Sequence, residues 1–188
     1  MKQYNSIQEA VLDLFGNEIT AVQSVSGGDI NRAYRLSISG KPVFMKANSK
    51  DNLPFFLAEA AGLETIAETN TIRVPKILGV GTDQKYGSFL LLEWCQGKPS
   101  PKFFENFGHQ LAAMHLSNTE NLIETGKFGY YQDNYIGSSK QANTIHDSIK
   151  TLSLIQSQYV RLAQKPLDFW AFSHFGAPKE RCPATLYL

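Results

Sequence analysis

Near the start of the chain three groups of residues have the types and the order to handle a phosphate. Ser26-Gly27-Gly28-Asp29-Ile30-Asn31 puts two adjacent glycines between two stretches of strand-like alternation, where backbone N–H groups approach an anion with no Cβ in the way. Gly27, Gly28, Asp29 and Asn31 are the candidate contacts of that turn. An ordinary hairpin that needs a positive φ uses the same glycine pair, so the turn alone decides nothing. No Gly-Lys-Ser or Gly-Lys-Thr follows it, which excludes a Walker A loop, and a strand pattern follows instead of a helix, which excludes a dinucleotide fingerprint. Lys46 stands inside an apolar strand pattern between Met45 and Ala47, facing either solvent or a partner. Glu59 lies on the Phe56, Leu63 side of the next helical pattern. A carboxylate there is costly without a counter-charge, unless it sits at the boundary and reaches water. The two groups, in consecutive elements, are placed to neutralise each other.

The elements that must hold these residues are legible from periodicity. Ser6 and Glu9 form a capping box ahead of Ile7, Val11 and Leu14, and Gly16 offers the C-cap, so a helix opens the chain. Residues 21–26, 33–38 and 43–48 alternate as three antiparallel strands, with the glycine turn and Ser39-Gly40-Lys41-Pro42 between them. Asp51 or Asn52 can cap a second helix with Pro54 in its first turn, and Phe56, Ala60, Leu63 and Ala67 form its apolar stripe up to Thr69. Residues 76–80 and 88–94 are apolar runs of strand length and complete a five-stranded antiparallel sheet. Gln96-Gly97-Lys98-Pro99-Ser100-Pro101 is the clearest linker. It divides a first lobe, residues 1–95, from a partial second lobe, residues 102–164, with 96–101 as hinge. In the second lobe Phe104, Phe107, Leu111 and Met114 mark an amphipathic helix, residues 118–143 read as an ordered loop, and Leu152, Ile155, Tyr159 and Leu162 fit one more helix. Residues 165–188 have no period and read as an irregular tail.

Composition narrows the partners. The 188 residues are 43% hydrophobic and 19% charged, which is ample for a packed core. Eighteen basic against seventeen acidic residues leave a net charge of +1, giving no electrostatic reason to expect nucleic acid or an anionic membrane. Two cysteines, Cys95 and Cys182, are too few for a disulfide framework, and Met1-Lys2-Gln3-Tyr4 does not open a signal peptide. A soluble cytoplasmic protein acting on a small molecule is expected.

Glycine turn, strand lysine and helix glutamate, in this order, form the ATP-cradling half of a protein-kinase-like fold: the lysine holds the nucleotide phosphates and the glutamate holds the lysine. Phe89-Leu90-Leu91-Leu92-Glu93-Trp94-Cys95 then reads as a strand entering a hinge, with backbone groups of Glu93, Trp94 and Cys95 available to adenine. Together, Val25 to Leu36, Phe44-Met45-Lys46-Ala47-Asn48, Ala58 to Leu63, Thr71 to Pro75, Phe107 to His115 and Asp133-Asn134-Tyr135-Ile136-Gly137 resemble the fructosamine kinase (ketosamine-3-kinase) family, relatives of the aminoglycoside phosphotransferases. The resemblance covers about residues 1 to 147. It implies an α+β kinase-like fold with a complete N-lobe and a partial helical C-lobe, ATP and Mg²⁺ as cofactors, and a small-molecule or protein-bound ketosamine as acceptor. It also implies that Asp133 and Asn134 lie on a second-lobe loop near the substrate. Aminoglycoside-like or choline-like acceptors, and a nucleotide-binding pseudokinase fragment, are the alternatives.

Family members continue to a catalytic His-Gly-Asp loop and to a second aspartate that holds Mg²⁺. After residue 100 the aspartates here are Asp133, Asp147 and Asp168, none of them preceded by His-Gly. No catalytic residue and no Mg²⁺ ligand is therefore identifiable, and the 188-residue chain is expected to be inactive. A truncation or reading-frame change near residue 148 accounts for this, as does a divergent C-terminal segment.

Overall fold

The computed structural model describes residues 2–26, 30–97, 101–117 and 130–143. Gly27, Gly28 and Asp29, the middle of the linker, residues 118–129 of the expected loop, Asp147, the helix expected at 152–162 and the tail lie outside the described residues. The chain divides into two units, with the change falling between Cys95 and Gln96.

The first unit runs β1 (Gln3–Tyr4), α1 (Ile7–Phe15), β2 (Ile19–Val25), β3 (Arg32–Ile38), β4 (Lys41–Asn48), a 3-10 turn (Lys50–Asn52), α2 (Leu53–Glu68), β5 (Ile77–Asp83) and β6 (Gly87–Glu93). The strands form one sheet in the order β1-β5-β6-β4-β3-β2. The five expected strands are all present and antiparallel to one another where they pair. A sixth was not anticipated: β1 pairs parallel with β5, Gln3 against Val80 and Tyr4 against Gly81. Two residues are too short to carry a period, so alternation could not announce it.

Helix α1 starts and stops where expected. Ser6 Oγ accepts from the Glu9 N–H, Glu9 Oε2 accepts from the Asn5 N–H, and Gly16 closes the helix in the left-handed region at φ 64. Ile7, Ala10 and Val11 are its buried residues, while Leu14, expected on the inner stripe, is 38% exposed. Helix α2 has Asn52 at its N-cap, but that side chain makes no capping bond. It turns back to Asn48 and Ser49 instead. The apolar stripe of α2 ends on Ile66, and Ala67 is exposed.

The two helices cover opposite faces of the sheet. Tyr4, Ile7, Ala10 and Val11 pack with Leu36, Val43, Met45, Ala47 and Leu91. Phe56, Ala60 and Leu63 of α2 pack with Val80, Leu90 and Leu92. Odd-numbered residues of β4 therefore face α1 and even-numbered ones face α2.

A clasp holds the N-terminal segment. The Tyr4 hydroxyl donates to Asp13 Oδ2 at 2.8 Å, Lys2 Nζ lies 2.8 Å from the same oxygen, and the Ile7 N–H donates to Asp83 at 3.1 Å. Hydrogen bonds from Lys2 and then Tyr4 hold the Asp13 carboxyl below its ordinary value. Burial, reinforced by donation to Asp13, raises the Tyr4 phenol, and the bond to Asp13 raises Lys2 against the opposing effect of desolvation.

In the second unit α3 (Phe103–Ser117) presents Phe103 stacked on Phe107 at 6.1 Å and Met114 buried. Phe104, expected on that face, is 64% exposed. Where a loop was expected, β7 (Asn134–Ile136) and β8 (Ser139–Gln141) form a short antiparallel hairpin. No helix among the described residues is long and apolar enough to cross a membrane.

Candidate nucleotide site

Lys46 is an even-numbered residue of β4, so the pleat sends its side chain toward α2. It is buried, between Ala33 on β3 and Leu90 on β6 in the register. Its ammonium is ion-paired and hydrogen-bonded to Glu59 Oε1, and the side chains are 4% and 15% exposed. Glu59 reaches that point because it follows Phe56 and precedes Ala60 on the buried side of α2, whose anchoring against Val80, Leu90 and Leu92 sets the height of the helix over the sheet. A buried ammonium held by a single-turn neighbour of the core is a rigid point charge, which is what binding a polyphosphate requires.

The end of β6 departs in part from expectation. The Glu93 N–H, offered by the sequence as a group for the base, donates to the Lys76 carbonyl at 2.8 Å and is committed to the sheet. The Glu93 carboxylate accepts from Arg73 at 2.7 Å and from the Lys76 N–H at 3.3 Å. Glu93 thus anchors the segment that leads from α2 into β5, and its N–H is not available to a base. The Cys95 thiol lies 3.8 Å from the Glu93 carbonyl. Trp94 stacks over the Arg35 guanidinium at 5.4 Å and tilts against Phe44 at 6.1 Å.

Phe44 was not singled out as a site residue. It precedes Lys46 by two positions, faces the same side, and is partly buried against the α2 cluster. The alternation that placed Lys46 would have found it. Asn31 is half-buried and accepts from Asn48 Nδ2 at 2.7 Å. Gly27, Gly28 and Asp29 lie outside the described residues.

In the second unit Asp133 is exposed and its Oδ1 accepts from the Asn143 N–H at 3.0 Å, while Asn143 Nδ2 donates to the Gln132 carbonyl. Asn134 starts β7 opposite Gln141. Asp133 thus ties the two ends of the hairpin together, and Asn134 belongs to its first strand. Among the described residues no group of three or more His, Cys, Asp or Glu side chains could hold a metal ion.

Comparison with known proteins bears on what this arrangement belongs to. The fructosamine kinase family model matches residues 3–157. The Vibrio parahaemolyticus protein named Probable ketoamine kinase VP1481 is 36% identical over 135 residues, covering 71% of this chain and 45% of that protein. The chloroplastic protein-ribulosamine 3-kinase of Oryza sativa subsp. japonica is 35% identical over 127 residues, covering 68% of this chain and 36% of its own. A crystal structure from Haemophilus somnus 129PT, assigned by name to the fructosamine-3-kinases, superposes with a TM-score of 0.66 at 28% identity, over 76% of this chain and 48% of that one. The chain spans about half the length, or less, of the relatives it matches. The α+β arrangement, with a multi-stranded N-lobe sheet, is kinase-like. A family model accounting for most of the sequence, matching the strands and helices that carry Lys46 and Glu59, shows that this chain belongs to the fructosamine kinase family.

Proposed function

We propose that this chain carries the nucleotide-binding half of an ATP-dependent ketosamine kinase, whose reaction moves the γ-phosphoryl of ATP to a sugar hydroxyl of a ketosamine and leaves ADP. The observation that supports it most is the buried Lys46 ammonium, held by Glu59 on the α2 side of the sheet in a chain of this family. Kinases of this kind use ATP with a divalent metal, and catalysis of phosphoryl transfer is mostly positioning and charge neutralisation. Lys46 would bind phosphate oxygens and Glu59 would keep the ammonium extended toward them. Phe44 and Trp94 would offer the base a flat apolar surface beside the Glu93 carbonyl. Gly27, Gly28, Asp29 and Asn31 would close over the phosphates, and Asp133 and Asn134 would lie near the acceptor. A protein-bound or free ketosamine is the acceptor that the relatives' names support. The domain reading of 1–95, 96–101, 102–164 and 165–188 belongs to the same proposal, as does a cytoplasmic location.

A second reading, nucleotide binding without transfer, is favoured by one feature of the sequence: no aspartate in the 188 residues follows a His-Gly pair. The two are separated by incubating the purified chain with Mg-ATP and a fructosyl-lysine and following phosphorus NMR, beside calorimetric titration with ATP. We expect ATP binding without a phosphosugar signal. A growing phosphosugar resonance would show that Asp133, Asp147 or Asp168 takes the acceptor-orienting part, and a flat titration would remove both readings.

A further inference from the structure

We propose that Asn48 is a positioning residue of the nucleotide site: its side-chain amide locks the start of β3 to the segment that leads into α2, on the same face as Lys46. The inference rests on the nucleotide-binding reading above and adds to it a residue that touches neither the phosphates nor the Lys46-Glu59 pair. Asn48 follows Lys46 by two positions and so shares its face of the strand.

The amide uses its full bonding capacity. Asn48 Nδ2 donates to Asn31 Oδ1 at 2.7 Å and to the Ile30 carbonyl at 3.3 Å. Asn48 Oδ1 accepts from the Ser49 N–H at 2.8 Å and from Asn52 Nδ2 at 3.0 Å. Two donors and two acceptor lone pairs are the whole inventory of a carboxamide. A half-exposed asparagine serving only solubility has no reason to spend all four on the protein. On one side the partners are Ile30 and Asn31, the described end of the turn between β2 and β3. On the other they are Ser49 and Asn52, the residues just before α2, the helix that carries Glu59.

The backbone at this point is also fixed. Gly87 has φ +81, and a Cβ there would run into the Asn48 carbonyl. The Ser88 hydroxyl donates to the Ser49 carbonyl at 2.7 Å. The amide therefore cannot slide along the strand to compensate for a lost partner. Its two arms join the phosphate-side turn and the glutamate helix through one side chain.

Leucine is the uncharged probe of similar size. Asn48→Leu adds no charge beside the phosphates and removes all four hydrogen bonds of the amide. Asn52→Ala cuts the arm toward α2 alone. Calorimetric titration of the 188-residue chain with ATP and with adenosine reads the difference, since adenosine has the base and ribose without phosphates. Each variant should weaken ATP on the order of tenfold, the value of one to two hydrogen bonds, and leave adenosine within about twofold. The double variant should be no weaker than either single one, because both remove one link. Unchanged ATP affinity, an equal loss for ATP and adenosine, or additive losses in the double variant would each overturn the positioning role. A parent chain that binds neither ligand overturns the nucleotide reading along with it. A parent that binds ATP with an affinity that Asn48→Leu matches overturns the positioning role alone.

Discussion

Lys46 and Glu59 meet across the junction of β4 and α2 with unequal access to water: the lysine side chain is 4% exposed and the glutamate 15%. The inequality follows from where each comes from. Lys46 rises from a central strand flanked by β3 and β6, and Glu59 descends from a helix whose outer side is solvated. A buried pair of this kind contributes little net stability while intact, because desolvation offsets the attraction, but it is expensive to break.

Breaking it should therefore be asymmetric. Glu59→Gln leaves the ammonium buried without its carboxylate and should destabilise the fold by about 3 kcal/mol. Lys46→Met keeps the aliphatic stem and leaves a carboxylate that can turn toward water, at about 1 kcal/mol. Urea unfolding of both variants provides the measurement. A larger loss for Lys46→Met would mean that the glutamate is the more trapped of the two.

If the proposed site holds ATP, Lys46→Met should also reduce ATP affinity at least tenfold while adenosine binding holds, because adenosine has no phosphates for the charge to act on. Phe44→Ala should do the reverse in kind, weakening ATP and adenosine together by several-fold through the lost apolar surface under the base. Titrations of each variant with both ligands separate the roles. Equal ATP affinity in Lys46→Met and parent would remove lysine from the phosphate site.

Glycine packing gives a test away from the site. A Cβ at Gly81 would fall on the backbone of Tyr4, whereas one at Gly108 in α3 meets nothing within 4 Å. Gly81→Ala should push β1 off the sheet edge at a cost of roughly 2 kcal/mol or more, with faster amide exchange in α1. Gly108→Ala should be neutral or stabilising by about 0.5–1 kcal/mol, because helix interiors disfavour glycine. Slower α1 exchange in Gly81→Ala would contradict the close fit at Tyr4.

What the sequence made legible followed from periodicity and charge. Alternation put Lys46 on one face of β4, helical spacing put Glu59 on the inner side of α2, and the cost of burying either alone argued for the pair. Four things escaped it. Strand β1 is too short to have a period. The commitment of the Glu93 N–H to the Lys76 carbonyl depends on the pairing of β6 with β5, which no local pattern encodes. The turn of Asn52 away from its capping position depends on Asn48 lying within reach, a contact that exists only once β4 and α2 are both in place. The exchange of Phe104 for Phe103 in α3 is a one-residue error of phase, which two adjacent phenylalanines conceal.

The Lys2-Tyr4-Asp13 clasp should give stability a dependence on pH at both ends. Asp13 has a folded pKa below its ordinary 3.8, so between the two values the unfolded chain binds more protons, and stability rises with pH there. Its contribution is present above the ordinary value and is lost as pH falls through the folded one. Tyr4 and Lys2 are raised above 10.0 and 10.5, so their contribution is present below those values and is lost as pH rises through the folded ones. The clasp is thus complete from about pH 5 to 9, and the solvent-exposed Lys2-Asp13 pair should supply the smaller part of it in salt. Asp13→Asn should flatten the acid limb of urea midpoints measured between pH 2 and 5, and Tyr4→Phe should flatten the alkaline limb between pH 9 and 11. Because Tyr4 also seats β1 against Gly81, Tyr4→Phe removes the hydroxyl while keeping the ring, and its midpoint near neutrality should fall only slightly. An acid limb as steep in Asp13→Asn as in the parent would mean that other carboxylates, and not this clasp, govern acid unfolding.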